Sequence, residues 1–346
     1  MRNHIVLCAL AVVFCLATVV PAEVFQEGGD RLVATQKRDG GWDWPLSRDP
    51  VVLGLLPLSS NAPNILAPTG MGLLYAYLST GDPGQLEALT NAAGNLLSKT
   101  PQLITPSDGY FAAALDVVFE VTTHTDYVNE KFYEPLAAGA YDFLGDGTLL
   151  VDTPKYIAIM RWLRDRQGAP NLAALDCGVG LFAASLIGAD TAPWIAATKA
   201  EVDELDGGDV YSVLGLAGAV FGLASVGEDI DPTEGEYAAA DSLADLAAVL
   251  AGYQLSTGGF TWNSLNMEED AANETVQETA FAILALNEVD RQAYLVNIEN
   301  AAAYLEGVRL PTGGWENFLG EGENNEVTGE SLWALWMAQQ AQVDEP

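Results

Sequence analysis

Tyr253-Gln254-Leu255-Ser256-Thr257-Gly258-Gly259-Phe260-Thr261-Trp262 is the stretch whose reading decides the fold. It closes a helix, turns on two glycines and sets a bulky ring into the turn. The device recurs as Gln36-Lys37-Arg38-Asp39-Gly40-Gly41-Trp42 and as Arg309-Leu310-Pro311-Thr312-Gly313-Gly314-Trp315. Looser copies stand at Ser107-Asp108-Gly109-Tyr110-Phe111, Gly145-Asp146-Gly147 and Asp206-Gly207-Gly208-Asp209. The turns lie about 55 residues apart on average, enough for one pair of helices with its connections.

Between the turns the apolar spacing is helical, and alternating β-branched runs are scarce. Met71 to Leu78 reads as a helix, and Gln85 to Leu97 as its amphipathic partner with Leu86, Leu89, Ala92, Ala93 and Leu96 on one face. Val210 to Val226 is apolar almost all round and should be buried on every side. Thr153-Pro154 has the form of a helix start, and Thr275-Val276-Gln277-Glu278 has capping-box spacing. One polar-faced and one all-apolar helix per unit points to an inner layer without a solvated side. The expectation is an all-α chain, an (α/α)6 toroid of about six helix pairs, with every glycine turn on one rim.

The chain opens with the short basic start Met1-Arg2-Asn3-His4, an apolar run from Ile5 to Val20, and Val20-Pro21-Ala22 ahead of Glu23. That pattern reads as a signal peptide over residues 1–22, leaving 23–346 as the toroid domain of a secreted, extracytoplasmic protein. The run is shorter than the ~20 apolar residues of a membrane span, and no later segment is a better candidate. Cys8 and Cys15 lie within it, so Cys177 alone remains and no intrachain disulfide can form. Lys and Arg number 14 against 48 Asp and Glu, a formal net charge of −34. A field of that sign repels nucleic acid, anionic membranes and polyuronates not bridged by cations. At 49% hydrophobic residues the chain is nevertheless apolar enough to fold.

Gln36-x-x-x-Gly40-x-Trp42 and Gln254-x-x-x-Gly258-x-Phe260 resemble the repeat shared by terpenoid (squalene and terpene) cyclases and protein prenyltransferases; Gly313-x-Trp315 resembles it too, with Arg309 in the Gln slot. The resemblance implies a toroid and says nothing certain of activity. The chain has no Asp-x-Asp-Asp acid of the hopene-type cyclases and no Gly-Cys-Gly-Glu-Gln thioester run. Asp176, Cys177 and His124 do not follow the order of the prenyltransferase zinc ligands, so no metal site is expected there. His124, in Thr122-Thr123-His124-Thr125-Asp126, reads as part of a polar loop rather than of a Ser-His-Asp triad. Gly40-Gly41-Trp42-Asp43-Trp44-Pro45 and Leu78-Ser79-Thr80-Gly81-Asp82 are similar, more weakly, to turns of toroid pectate lyases and other sugar-active toroids.

If the ring closes, the segments entering the inner helices line one rim. Trp42, Asp43 and Trp44, Trp262 and Asn263, Trp315 and Glu316, and Asn325 and Glu326 would give it aromatic faces beside polar groups. That lining suits a neutral polysaccharide, which stacks on rings and hydrogen-bonds at its edges. The competing reading has Trp42 and Trp315 plugging their turns, with Trp44 and Trp262 better placed for exposure, and Trp333 and Trp336 in the core. Glu278 and Glu330 are the candidate catalytic carboxylates, one as general acid and the other as base or nucleophile; helix-dipole stabilisation is the plainer account of them. A lyase would instead draw its base from Tyr110, Tyr211, Arg38 or Arg48. No cofactor is called for, although Glu268-Glu269-Asp270 and Glu321 to Glu326 offer the oxygen ligands that calcium takes. A non-catalytic extracellular scaffold and an isoprenoid-binding ring are the alternatives.

Overall fold

The computed structural model describes residues 20–43, 64–268 and 273–343. The helices, in chain order, are α1 (Ala22–Thr35), α2 (Leu66–Thr80), α3 (Pro83–Ser98), α4 (Asp108–Phe119) and α5. This last is a broken segment in which a π turn, Asn129–Tyr133, joins Thr123–Val128 to Glu134–Ala137. They continue as α6 (Thr153–Gln167), α7 (Leu172–Ile187), α8 (Ala192–Glu204), α9 (Ser212–Val226) and α10 (Leu243–Ala251). The last three are α11 (Val276–Asp290), α12 (Leu295–Gly307) and α13 (Asn325–Val343). Strands are confined to three antiparallel hairpins of two residues a side: β1 (Tyr141–Asp142) with β2 (Leu150–Val151), β3 (Phe260–Thr261) with β4 (Glu274–Thr275), and β5 (Trp315–Glu316) with β6 (Glu323–Asn324).

The fold is all-α, and its inner layer is a closed ring. Helices α2, α4, α7, α9, α11 and α13 each pack on the next, and α13 packs back on α2. The others lie outside: α1 against α2 and α13, α3 against α2, α5 against α4, α6 against α7 and α8, α8 against α7 and α9, α10 against α9 and α11, and α12 against α11 and α13. As its composition requires, α9 is buried on every side from Ser212 to Leu223. Tyr110 from α4, Phe182 from α7, Phe221 from α9 and Trp333 from α13 meet across the ring. Tyr110 and Phe221 lie 5.3 and 5.9 Å from Trp333, and Phe182 and Phe221 lie 4.7 Å apart. These rings plug the axis with aromatic contacts that favour tilted and edge-on geometry.

The three close copies of the turn share the same backbone bonding. Gly40, Gly258 and Gly313 have φ of 86°, 97° and 93°, and each faces the backbone of the next outer helix. A Cβ there would lie 2.1 Å from the Asn91 carbonyl oxygen, 2.2 Å from that of Asn300 and 2.5 Å from that of Glu27. Glycine is therefore required twice over, by backbone conformation and by close approach. Gln36 donates to the carbonyls of Gly40 and Ala88, and Gln254 to those of Gly258 and Asn297, so the glutamine ties its turn to the neighbouring helix. Arg309, in the Gln slot of the last copy, pairs with Glu27 on α1 instead. Arg31 on α1 also makes a two-pronged bond to Glu323, so ion pairs seal the seam where the chain's two ends meet.

Several local expectations change. The Gly145-Asp146-Gly147 turn joins two outer segments, α5 and α6, and does not enter an inner helix. Inner helix α7 is entered through Ala169-Pro170-Asn171 after the Gly168 cap of α6. The segment between inner helices α4 and α7 is not one return: α5 breaks at its π turn and leads into the first hairpin before α6 begins. Asp152, one residue before Thr153, caps α6 by accepting from the Lys155 amide. His124 is not in an exposed loop: it is buried at the start of α5, its Nδ1 2.6 Å from Asp116. Residues 1–19 lie outside the described part, and the boundary expected before Glu23 falls at the first residue of α1, with Val20 buried ahead of it.

Candidate functional site

The starts of the six inner helices meet at one mouth: Asn171 ahead of α7 bonds the Val210 carbonyl ahead of α9, Gln277 of α11 bonds Glu330 of α13, and Gly329 of α13 packs on Thr69 of α2. Tyr110 of α4 lies within electrostatic reach of Glu330, and Tyr211 within that of Glu278. Outer helix α6 adds Arg164 to the mouth. The sequence places Glu278 in the first turn of α11, where capping-box spacing would turn it back on its own helix. The structure uses another cap. Thr275 makes no side-chain cap bond; Asn317, from the hairpin ahead of α13, accepts from the Gln277 amide at 2.9 Å and its carbonyl accepts from Val276 at 3.1 Å. With the helix end satisfied from a neighbouring repeat, Glu278 has no capping work. It is fully buried, and among the described residues neither carboxylate oxygen has a hydrogen-bond partner.

Glu330, one turn into α13, is 3% exposed. Its Oε1 accepts from Gln277 Nε2 at 3.2 Å and its Oε2 has no partner among the described residues. Burial pushes the Glu278 carboxyl up to about 7; the nearby Thr275 hydroxyl, which donates to the Phe260 carbonyl, and the helix backbone offset part of this, and Glu321 adds to it. Burial raises Glu330 well above the ordinary carboxylate range, with Glu326 and then Glu278 adding like charge against the opposing Gln277 bond. Unpaired buried carboxylates are costly, and sites that keep them are candidates for chemistry.

Three further groups face this pair. Tyr110 is buried, and burial, followed by Glu330 and Glu326, raises its phenol. Tyr211 is half-buried, within electrostatic reach of Glu278, Glu321 and Arg164. Arg164 forms a bidentate pair with Asp176 at 2.6 and 2.8 Å; that pairing outweighs its burial and keeps its proton held more tightly than usual. Arg164 and Asp176 also line a cavity of about 260 Å³ between α6 and α7, with Met160, Arg161, Cys177 and Trp194. Glu278 and Glu330 do not border that cavity, so the carboxylates and not this hollow define the site. Arg164 escaped the sequence reading because it sits near the end of an outer helix and reaches the mouth only through the packing of α6 on α7.

The other sequence candidates divide. Trp42 and Trp315 are fully buried and donate from Nε1 to the Leu32 and Leu305 carbonyls, so they are plugs and meet no ligand. Phe260 fills the same slot without the donor. Asn263 is buried, accepting from Leu265 and Asn266 and donating to Gly208, so it shapes its loop rather than reaching a ligand. Glu316 ties the third hairpin by accepting from Gly320 and Gly322. Asn325 is 1% exposed between Thr35 and the Asp43 carbonyl. Asp43 pairs with Lys37 at 2.9 Å. Trp262 is half-buried at the rim and Glu326 lies beside Glu330. Trp44, Arg48, Glu269 and Asp270 lie outside the described residues. Of the proposed calcium ligands, Glu323 is engaged by Arg31, and among the described residues no group of three or more His, Cys, Asp or Glu is arranged to hold a metal. Nor is any described helix long and apolar enough to cross a membrane.

An all-α toroid with an acidic, tyrosine-flanked mouth is thus the class that fold and site define. No family model and no curated protein matches the sequence. Solved structures do. A protein from Actinoplanes is similar over 92% of this chain and 99% of its own, at 18% identity and a TM-score of 0.55. The Lin0763 protein from Listeria innocua is similar over 94% and 98%, at 12% identity and a TM-score of 0.52. The polysaccharide lyase BACCELL_00875 is similar over 93% and 99%, at 16% identity and a TM-score of 0.50. At such identities the likeness is one of fold.

Proposed function

We propose that this is a secreted carbohydrate-active protein that takes a neutral polysaccharide at the inner-helix mouth, with Glu278 and Glu330 as its acid–base pair. The observation that carries the reading is the pair itself: two buried carboxylates on adjacent inner helices, three of their four oxygens without partners among the described residues. Two such groups in one low-dielectric site resist ionising together, so near neutral pH one keeps its proton while the other is free to ionise. That is the division of labour glycosidic hydrolysis needs, an acid for the leaving oxygen and a base or nucleophile opposite. Trp262 and Glu326 are the remaining ligand contacts we assign, and the sugar-lyase neighbour lends the substrate class support. The repeat kinship with terpenoid cyclases and prenyltransferases we infer from the shared turn alone. An isoprenoid ligand fits less well, because Tyr110, Phe182, Phe221 and Trp333 occupy the axis such a chain would need.

One observation favours a second reading, a non-catalytic extracellular scaffold: Glu278 and Glu330 are 0% and 3% exposed, closed to solvent. Incubating the purified chain with neutral and acidic polysaccharides, with and without calcium, separates the two. New reducing ends from a neutral glycan, with rates cut at least ~100-fold in both Glu278→Gln and Glu330→Gln, support the first reading. No product and no binding across the panel leave the scaffold; unchanged rates in the two variants remove the carboxylate assignment.

A further inference from the structure

Tyr211 takes up an unusual backbone conformation at the mouth. It stands immediately ahead of inner helix α9 with φ of 62° and ψ of 16°, in the left-handed region that suits glycine. Such a conformation persists only where neighbours over-determine it, and here they do. Asn171, 3% exposed at the entrance to α7, donates to the carbonyls of Asp206 and Val210 and accepts from the Asp206 amide. The carbonyl of Gly207 accepts from the Ser212 hydroxyl and the Ser264 amide, and that of Gly208 from Asn263. The turn over 206–210 is stapled from three sides, and Tyr211 is the joint that absorbs the mismatch before the helix begins.

What the strain achieves is the placement of a phenol. Tyr211 does not fill the plug slot that Trp42, Phe260 and Trp315 fill, for it is half-buried where they are fully buried. Its hydroxyl has no hydrogen-bond partner among the described residues, and it lies within reach of the charges of Glu278, Glu321 and Arg164. Glycine at this position would adopt the backbone at less cost; a tyrosine there keeps a half-exposed donor–acceptor group at the mouth, unused by the fold.

We propose that Tyr211 is a ligand-contacting residue of the mouth, its hydroxyl held by a left-handed backbone to bind a hydroxyl of the glycan lying over Glu278. The inference rests on the carbohydrate reading of that site and adds to it the residue that selects the bound sugar's orientation. Its particular signature is opposition between stability and binding, because relieving the strain removes the contact.

The test compares the wild-type chain with Tyr211→Phe, Tyr211→Asn and Tyr211→Gly, by thermal unfolding and by titration with whichever neutral oligosaccharide the wild type binds. Asn and Gly suit the left-handed conformation, so their melting temperatures should equal or exceed the wild-type value, by roughly 2 °C for Gly. Tyr211→Phe should keep the wild-type melting temperature and lose about tenfold in affinity, the effect of one hydrogen bond. Wild-type affinity in Tyr211→Phe overturns the contact while leaving the carbohydrate reading intact. A fall of several degrees in both Asn and Gly variants marks the ring as packing and overturns the strain argument without reference to any ligand. Absence of glycan binding by the wild type overturns the carbohydrate reading, and the contact with it.

Discussion

Replacing Glu278 by Gln should stabilise the protein in alkaline solution and leave it nearly unchanged in acid. The side chain is fully buried without a hydrogen-bond partner among the described residues, and burial lifts its carboxyl from 4.5 to about 7. Below pH ~4.5 the group is protonated in both folded and unfolded chains and contributes no pH dependence. Between ~4.5 and ~7 the unfolded chain releases the proton that the folded chain retains, so stability falls as pH rises. Above ~7 the native state carries a bare buried charge, and the full loss, on the order of 3 kcal/mol, is reached. Gln removes this dependence while keeping the shape. The difference in melting temperature between Glu278→Gln and wild type should therefore grow on the order of 5 °C from pH 4.5 to pH 8. Subtracting the wild-type curve cancels the titration of the other acids. A difference that stays flat across that range would refute the reasoning, since it would mean the carboxyl is solvated or paired in solution. Because Glu330 and Glu278 burden each other, the double variant should gain less than the two single gains together.

Three other outcomes follow from the architecture. Gly258→Ala should cost roughly 3–5 kcal/mol, from a left-handed φ and a Cβ 2.2 Å from the Asn300 carbonyl oxygen. Gly81→Ala, with φ of 68° and nothing within 4 Å, should cost only about 1 kcal/mol, as urea melts of the pair will show. Trp315→Phe should lower stability by roughly 2 kcal/mol through the lost bond to the Leu305 carbonyl and the lost volume, without touching glycan binding. Trp262→Ala should do the reverse, as calorimetry on both variants can establish. A double-mutant cycle on Arg31 and Glu323 should return about 1 kcal/mol of coupling, because the pair is bidentate and only partly solvated; a value near zero would remove the seam from the account of ring closure.

The ring was legible because its evidence is local: a glycine that must turn left-handed, a ring that must plug the turn, and the Gln that ties both to the next helix all lie within seven residues. Where the device is absent the reading failed, at α7 above all, whose entrance is built from Gly168, Pro170 and Asn171. The site was half legible. Glu278 and Glu330 could be picked because both sit in the opening turns of apolar helices. That Glu278 is uncapped could not, since the cap comes from Asn317, 40 residues on. The same distance problem hid Arg164, which meets the mouth only because α6 packs against α7. Trp42 and Trp315 show the converse limit: an aromatic in a polar loop reads equally well as ligand platform or plug, and only the carbonyl ten residues back, in the preceding outer helix, decides.

The net charge of −34 bears on this mouth directly. Charges across the surface oppose any further negative charge placed among Glu278, Glu326 and Glu330, so the site works against anionic ligands and favours the protonated form of its own acids. Salt screens the distant part of that field, whose reach is ~10 Å at 0.1 M, and leaves the buried neighbours almost unaffected. Raising salt from 20 mM to 500 mM should thus strengthen binding of an acidic oligosaccharide and leave that of its neutral counterpart unchanged. Isothermal titration of the two at both concentrations measures it. If a neutral glycan's affinity moved with salt as much as an acidic one's, the field would act through the protein's own conformation, and the mouth would owe its selectivity to something other than charge.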